Sequence, residues 1–288
     1  MMTRDTTTAV LLLSCQDQKG LVAATSDFIY RNDGNIVHAD QHVDAEAGLF
    51  LQRIEWEMGG FRVERDELAD AFRPIAEKFG MQWELHFSDY VPRVAIFVSK
   101  LEHCLSDLLL RQRMGEFEAE IPLVISNHPD LQQFVGAFGP EYHFYPITKE
   151  TKAEQEKKQI ELLEAQGIDL VVLARYMQIL SGGFVRRFQN RIINIHHSFL
   201  PAFPGGRPYH QAHERGVKII GATSHYASEE LDQGPIIEQD VVRVSHRDSV
   251  QDLIRKGKDL EKVVLARAVS LHLRHRILVY GNKTVVFD

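Results

Sequence analysis

Residues 194–201 read NIHHSFLP, and residues 231–237 read LDQGPII. Side chains two residues apart on a strand emerge on the same face, so Asn194 and His196 are expected to share one face. Asp232 follows in a loop where glycine and proline let the backbone approach closely. The two stretches therefore predict an amide, an imidazole and a carboxylate that meet at the end of one sheet.

These three side chains have the properties that acyl transfer through a tetrahedral intermediate requires. The imidazole of His196 can take or give a proton near neutral pH, and the amide of Asn194 can donate a hydrogen bond to a developing oxyanion. Asp232 can orient His196 and hold a water molecule. His225, on the preceding strand, is either a further partner of this group or a packed core histidine. His197 is predicted to point away from the group.

From residue 93 onward, short apolar strands alternate with helices, which predicts an α/β domain with a mostly parallel sheet. Such sheets bind ligands at the carboxyl ends of their strands, and Arg175 and His196 lie at such ends. The predicted strands cover residues 93–99, 121–127, 143–146, 169–174, 191–196, 217–226 and 236–244. The predicted helices cover residues 101–112, 129–137, 152–166 and 249–274.

The first part of the chain has a different pattern, with the order βαββαβ of a ferredoxin-like module. Its strands are predicted at residues 9–15, 36–43, 49–58 and 81–87, with helices from residue 21 and over residues 64–79. The segment SDYVP at residues 88–92 is the predicted linker. The predicted domains are therefore residues 1–88 and 89–288.

The composition excludes several classes of protein. A chain of 288 residues with 44% hydrophobic and 25% charged residues is typical of a globular protein with two domains. The net charge of -7 argues against a nucleic acid as the main partner. A polar start and the lack of an apolar run of about 18 residues predict neither a signal peptide nor a membrane span. Cys15 and Cys104 are expected to be buried and reduced, and the location to be cytoplasmic.

The N-terminal segment resembles an ACT domain. The resemblance lies in the apolar first strand, in the DQKGLV turn at residues 17–22, and in the Asn-Ile pair that begins the second strand. It implies either an effector site for a small amino acid, with glycine or methionine as candidates, or a module for subunit assembly into a dimer or tetramer. The backbone N–H groups at a helix start can hold a carboxylate. The implied effector residues are Asp17, Gly20, Leu21, Asn35 and Ile36.

The stretches at residues 194–201 and 231–237 resemble the signature of the folate-dependent formyltransferase fold, a Rossmann-like domain. The resemblance extends over about residues 90–285 and implies that Asn194, His196 and Asp232 are the catalytic residues. VLARYMQILS, at residues 172–181, resembles the pterin-binding loop of that family. The folate-binding residues that it implies are Arg175, Tyr176, Met177, Gln178, Ile179 and Leu180.

The acceptor of the formyl group distinguishes members of this family. Those that transfer it to glycinamide ribonucleotide carry a glycine- and serine-rich loop after the first strand, where backbone N–H groups hold the phosphate. Here VSKLEHCLSD, at residues 98–107, contains no glycine and carries Glu102 and Asp107. The pattern resembles the formyltetrahydrofolate deformylases, which join an ACT domain to this fold and use water as the acceptor. His197 and the run PYHQA at residues 208–212 fit that group too.

The resemblance implies hydrolysis of 10-formyltetrahydrofolate to formate and tetrahydrofolate. This reaction supplies formate for purine biosynthesis and balances one-carbon pools. The implied mechanism has Asp232 and His196 position and deprotonate water while Asn194 stabilises the oxyanion. Folate is then a substrate, and neither a tightly bound cofactor nor a metal is expected. Formyl transfer to glycinamide ribonucleotide is the alternative reaction.

Three other functions compete with these. A serine hydrolase acting through Ser198 would lack the Gly-x-Ser-x-Gly elbow, and that hydroxyl is expected to pack or cap the turn before Pro201. An amino-acid sensor without catalysis would not need the three candidate catalytic residues. A zinc hydrolase is disfavoured because adjacent histidines on a strand face opposite ways and the others lack a fixed third ligand. Its ligands would come from His196, His197, His210, His213 and His225.

Overall fold

The computed structural model describes residues 7–201 and 208–287, and these fall into two compact units. The first unit extends to Val91 and also takes in Arg274–Leu278 and the segment that begins at Val285. The second unit consists of Pro92–Leu273 and Val279–Thr284. The sequence-based division ended the first domain at residue 88 and assigned every later residue to the second. The C-terminal segments of the first unit were therefore not anticipated.

The first unit is built on an antiparallel sheet. Its elements are β1 (Thr8–Gln16), α1 (Leu21–Arg31), β2 (Asn35–Asp44), β3 (Leu49–Glu57), a 3-10 helix (Arg65–Glu67), α2 (Leu68–Phe79) and β4 (Gln82–Phe87). The strand order is β2-β3-β1-β4, and the pairing within it is antiparallel. This is the βαββαβ order of the ferredoxin-like fold, so the fold predicted for this part is confirmed.

Burial on both faces of the sheet explains why β1 reads as one continuous apolar run. Leu11 and Leu13 pack into the core under the helices, and Val10 and Leu12, on the opposite face, are buried as well. Gly80 ends α2 with φ of 63°, a left-handed conformation that glycine adopts without a steric penalty.

The second unit is an α/β domain. Its elements are β5 (Arg93–Val98), α3 (His103–Arg113), β6 (Glu120–Ser126), α4 (Gln132–Gly136), β7 (Glu141–Phe144), α5 (Lys152–Ala165), β8 (Leu170–Leu173), α6 (Gly182–Arg187), β9 (Ile192–His196), α7 (Pro208–Arg215), β10 (Ile219–Tyr226), β11 (Ile236–Arg243) and α8 (Val250–Leu273). The strand order is β11-β10-β9-β8-β5-β6-β7. Pairing is parallel from β9 to β7 and antiparallel at β10 and β11. The predicted mostly parallel sheet is confirmed.

The register of β9 and β10 positions the candidate catalytic residues. Asn194 lies directly opposite His225, and His196 lies opposite Thr223. Residues opposite each other in an antiparallel pair have Cβ atoms about 4.5–5.5 Å apart. This pairing therefore brings His225 beside Asn194, a proximity that spacing along the chain does not reveal.

Two elements of secondary structure, a helix and a pair of strands, were not predicted from the sequence. Helix α6 begins with Gly182 and Gly183, which weaken the helical signal. The strands β12 (Ile277–Tyr280) and β13 (Lys283–Val286), which pair with each other, were not predicted because each is very short. Among the described helices, none combines the length and the apolar character that crossing a membrane requires.

Candidate active site

A cavity of about 630 Å³ lies at the carboxyl ends of β8 and β9. The structure brings Asn194, His196, His225 and Asp232 together on its wall. Residues 175–180, the predicted folate loop, line the same cavity. The predicted catalytic residues and the predicted folate loop therefore line one cavity.

Asp232 lies between two imidazoles. Its Oδ2 is 3.1 Å from Nδ1 of His196, and its Oδ1 is 3.6 Å from Nε2 of His225. The hydrogen bond from Nδ1 of His196 holds the pKa of the Asp232 carboxyl well below its ordinary value, although burial opposes this. The carboxylate is therefore ionised at neutral pH. Asp232 adopts φ of 57°, a left-handed conformation in which Asp and Asn are tolerated.

His225 fixes the amide of Asn194. Nδ1 of His225 is 2.9 Å from the carbonyl oxygen of Tyr226, which can only accept, so Nδ1 carries a proton. In the neutral ring Nε2 then has a lone pair, and Nδ2 of Asn194 donates to it at 3.2 Å. The side chain of His225 is 2% exposed. His225 is therefore a buried core residue and also contacts the candidate catalytic residues. These are the two roles that the sequence left open.

The ring of His196 is held at both nitrogens. Nδ1 donates to Asp232, and Nε2 accepts a hydrogen bond of 2.8 Å from the hydroxyl of Ser198. Ser198 is 4% exposed, so its hydroxyl orients the ring and is poorly placed to attack a substrate. The sequence-based interpretation of Ser198 as a packing or capping hydroxyl missed this bond. Asp232, with a side chain 21% exposed against 6% for His196, is the more accessible of the two.

His197 lines the cavity beside His196, with ring centroids 5.1 Å apart. The prediction that His197 points away is wrong, because β9 ends at His196 and strand alternation does not continue beyond it. Burial, reinforced by the charges of Arg175 and His196, lowers the pKa of His197 to about 4. His197 is therefore a neutral ring at the pH of the cell.

The low pKa of His197 makes stability depend on pH. The unfolded chain takes up this proton near pH 6.5 and the folded chain near pH 4, so the unfolded state binds more protons between these values. The free energy of unfolding should fall by about 3 kcal/mol from this group as pH drops through that window. Urea denaturation at several pH values, compared with His197→Gln, measures it. Equal slopes for both proteins would contradict the assignment.

The predicted folate loop is anchored where it begins. Arg175 adopts φ of 64°, and its carbonyl accepts from the backbone N–H of Ser99 at 3.2 Å. The hydroxyl of Ser99 accepts from the N–H of Met177 at 2.9 Å and donates to Oδ1 of Asn127 at 2.7 Å. Ser99 follows β5 directly, a position at the carboxyl end of a strand that could have identified it from the sequence.

The same loop is anchored where it ends. The N–H of Ser181 donates to Oε1 of the buried Glu156, and the hydroxyl of Ser181 caps α6 by accepting from the N–H of Phe184. Between these anchors, Met177 and Ile179 are 60% and 59% exposed. Apolar side chains held outward by a pinned loop suit the flat ring of a ligand.

Removing the Ser99 hydroxyl should loosen this loop. Ser99→Ala leaves the partly buried N–H of Met177 without its partner, which costs about 1 kcal/mol. We expect folate affinity to weaken by about tenfold, with a smaller change in the turnover number. Titration calorimetry with tetrahydrofolate provides the measurement. Ser88→Ala is the matched control, because Ser88 also accepts from a backbone N–H, that of Thr8, in the other unit; equal losses in both variants would refute the role.

Arg175, predicted to bind folate, lines the cavity and also pairs with an acidic residue. Its Nε is 3.5 Å from Oε2 of Glu261, and its side chain is 11% exposed. Tyr176 is also turned inward, where burial raises its pKa to about 12. The exposed members of the loop are therefore better placed to contact a ligand than these two.

In the described part of the chain, the histidines considered for the disfavoured zinc site do not form a three-ligand cluster. Within residues 7–201 and 208–287, the group whose ligand atoms come within 4.8 Å of one another is His103, Cys104 and Glu261. Burial and the charge of Glu261 raise the pKa of the Cys104 thiol well above its ordinary value, and a protonated thiol is a poor ligand. The guanidinium of Arg175 beside Glu261 also opposes a cation there.

The residues of the predicted effector site lie in the first unit. Gly20 adopts φ of 94° just before α1, and no side chain caps the start of that helix. Asp17 lies in the loop before it, and Leu21 is buried. The side chain of Asn35 donates to Glu57 at 3.0 Å, and Ile36 packs against the core of the unit.

Comparison with known proteins assigns the chain to a family. The family model described as formyl transferase matches residues 92–269. A formyltetrahydrofolate deformylase of Synechocystis is 64% identical over 280 residues, which cover 97% of this chain and 98% of that protein. The crystal structure of a formyltetrahydrofolate deformylase from Pseudomonas syringae is 46% identical, with a TM-score of 0.96, and covers 99% of this chain and 96% of that one.

A glycinamide ribonucleotide transformylase from Symbiobacterium toebii is a more distant relative. It is 34% identical with a TM-score of 0.65, and the match covers 71% of this chain and 98% of that one. The resemblance seen in the sequence is confirmed, since the deformylases match both units at higher identity. The chain belongs to the formyltetrahydrofolate deformylase family.

Proposed function

We propose that this protein hydrolyses 10-formyltetrahydrofolate to formate and tetrahydrofolate. The observation that carries the proposal is the ionised carboxylate of Asp232, which lies between His196 and His225 in a cavity shared with the pinned loop at residues 175–180. The names of the relatives point to the same reaction. The reaction suits a role in supplying formate for purine biosynthesis.

The mechanism begins with a water molecule held by Asp232. The carboxylate accepts one hydrogen bond from water and aligns its oxygen with the formyl carbon, while the proton passes, directly or through Asp232, to Nε2 of His196. Nε2 of His196 becomes available once the hydroxyl of Ser198 turns away from it. General acid–base help of this kind contributes about 10²- to 10⁴-fold in rate.

Collapse of the tetrahedral intermediate releases the folate. Attack of water places a negative charge on the former formyl oxygen, and the N–H of Asn194 that does not face His225 can donate to it. A donor held in this way contributes about 10²- to 10³-fold. The bond from carbon to N10 then breaks, and N10 takes up a proton from His196. Side chains handle each proton and charge, so the proposed reaction requires no tightly bound cofactor.

The first unit is proposed to act as an ACT module. Support comes from its ferredoxin-like topology and from the uncapped start of α1 after Gly20, where backbone N–H groups can receive a carboxylate. Its ligand would be a small amino acid, glycine or methionine, and its partners would be further copies of the chain in a dimer or tetramer. We propose a cytoplasmic setting, which agrees with the two free cysteines, Cys15 and Cys104.

A thermal-shift series tests the effector. Glycine or methionine should raise the unfolding midpoint, whereas lysine, with its long charged side chain, should not. If no amino acid raises the midpoint, the effector is refuted and assembly remains as the role of the unit. Sedimentation of the purified protein then measures the number of subunits.

One assay tests the reaction itself. Purified protein is supplied with 10-formyltetrahydrofolate, with and without glycinamide ribonucleotide. Formate released at the same rate in both supports hydrolysis. Turnover that requires the nucleotide would overturn the proposal in favour of transfer, and no turnover in either mixture would favour a sensor without catalysis.

A further inference from the structure

The wall of the cavity combines two kinds of side chain. Leu180, Val185 and Leu231 give it apolar surface, which suits the folate ring system. Its polar part is formed by His103, Tyr209, His210, Lys258 and Glu261.

The candidate catalytic residues adjoin the polar part of the wall. The ring of His196 is 5.1 Å from that of His197, which is 6.2 Å from that of Tyr209. With the folate rings against the apolar side chains, this polar part of the wall would be left for the group that accepts the formyl carbon.

A hydrogen-bonded network forms part of this polar wall. The carboxylate of Glu261 on α8 accepts from the hydroxyl of Tyr209 on α7 and from Nε2 of His103 on α3, at 2.7 Å each. The side chain of Glu261 is 2% exposed, that of His103 is 12% exposed, and Tyr209 as a whole is 9% exposed. The network therefore joins three helices at the wall of the cavity.

Gly257 makes room for Tyr209. A Cβ atom at residue 257 would lie 2.1 Å from the hydroxyl oxygen of Tyr209 and 2.3 Å from its Cζ. Glycine weakens the interior of a helix such as α8 relative to alanine. The space that the missing side chain leaves is filled by the tyrosine ring, which reaches Glu261 through it.

The carboxylate of Glu261 is ionised and already partnered. Burial opposes ionisation of Glu261, but the hydrogen bond from His103 and the charge of Arg175 keep its pKa below the ordinary value. An incoming amine would therefore find both oxygens of Glu261 already bonded to Tyr209 and His103.

We propose that Glu261, Tyr209 and His103 form an acceptor barrier, in which the ring of Tyr209 packs against Gly257. The barrier keeps amine nucleophiles away from the formyl carbon, so that water attacks it instead. This inference rests on the proposed hydrolysis. With the barrier opened, a primary amine attacks the formyl carbon and the bond from that carbon to N10 breaks. N10 takes up the proton that the amine loses, giving an N-formyl amine and tetrahydrofolate.

Competition between water and a small amine tests the barrier. Wild-type protein, Tyr209→Ala and Gly257→Ala are each incubated with 10-formyltetrahydrofolate and glycinamide, and the ratio of N-formylglycinamide to formate is measured. Tyr209→Ala empties the space, and Gly257→Ala forces the ring out of it. We expect the ratio to rise on the order of tenfold or more in both variants.

Matched controls separate the barrier from general damage. Gly136→Ala lies at the end of α4, where the added Cβ meets nothing within 4 Å, and Tyr30→Ala removes a tyrosine that is 78% exposed. Neither should change the product ratio. Formate release by the wild type tests the proposed function separately, so the two proposals can fail independently.

Two outcomes would overturn the proposed barrier. An unchanged product ratio in folded Tyr209→Ala and Gly257→Ala would overturn it. Loss of both products with tetrahydrofolate affinity retained would overturn it too, because a barrier is not needed for the chemistry. If Tyr209→Ala does not fold, Gly257→Ala and His103→Ala carry the same comparison.

Discussion

Asp232→Asn should lower the turnover number for formate release by about 10³-fold. The substitution removes the charge that holds the proton of His196 and the base that accepts from water, while it keeps the size of the side chain. Asparagine tolerates the left-handed backbone of Asp232, with φ of 57°, so the loop should retain its conformation. The affinity for tetrahydrofolate should change little, because the folate loop is anchored by Ser99 and Glu156 instead.

The measurement combines steady-state formate release with titration calorimetry. Asp259→Asn is the control, since Asp259 is 67% exposed and is paired with Lys262 on the surface. It should keep wild-type turnover. Turnover of Asp232→Asn close to the wild-type value would rule out its role in activating water.

Asn194→Ala should lower turnover by about 10²- to 10³-fold, because it removes the donor aimed at the oxyanion. The substitution also leaves Nε2 of His225 without its partner at 3.2 Å. An oxyanion donor acts in the transition state, so the turnover number and the specificity constant should fall together while KM changes little. Rate measurements over a range of folate concentrations separate these constants.

The control for Asn194 is Asn282→Ala, in the exposed turn between β12 and β13. It should behave as the wild type. A variant Asn194→Ala with a raised KM and an unchanged turnover number would assign Asn194 to folate binding and would contradict its role at the oxyanion.

The part of the site that strand geometry controls was accessible from the sequence. Asn194 and His196 are two residues apart on β9, and the period of a strand places both on the cavity wall. The continuous apolar runs of β5 and β8 are typical of strands buried on both faces, which predicts a parallel sheet. The residues of the predicted folate loop were identified by the family resemblance and by their position after β8.

The contacts that depend on tertiary packing were not accessible. The bond from Asn194 to His225 follows from the register between β9 and β10, which no local pattern encodes. The direction of His197 was mispredicted because strand alternation was extended one residue beyond His196, where β9 ends as predicted. Glu261 was not singled out within the predicted helix at residues 249–274, because its burial depends on α3 and α7 packing against α8.

The source of the new oxygen in formate is the most direct test of water as the acceptor. Wild-type protein is incubated with 10-formyltetrahydrofolate in water labelled with oxygen-18, without any amine, and formate is analysed by mass spectrometry; Asp232→Asn measures the uncatalysed background. We predict rapid formation of formate that carries one labelled oxygen. If formate does not form above background until an amine acceptor is added, water is not the acceptor and hydrolysis is ruled out.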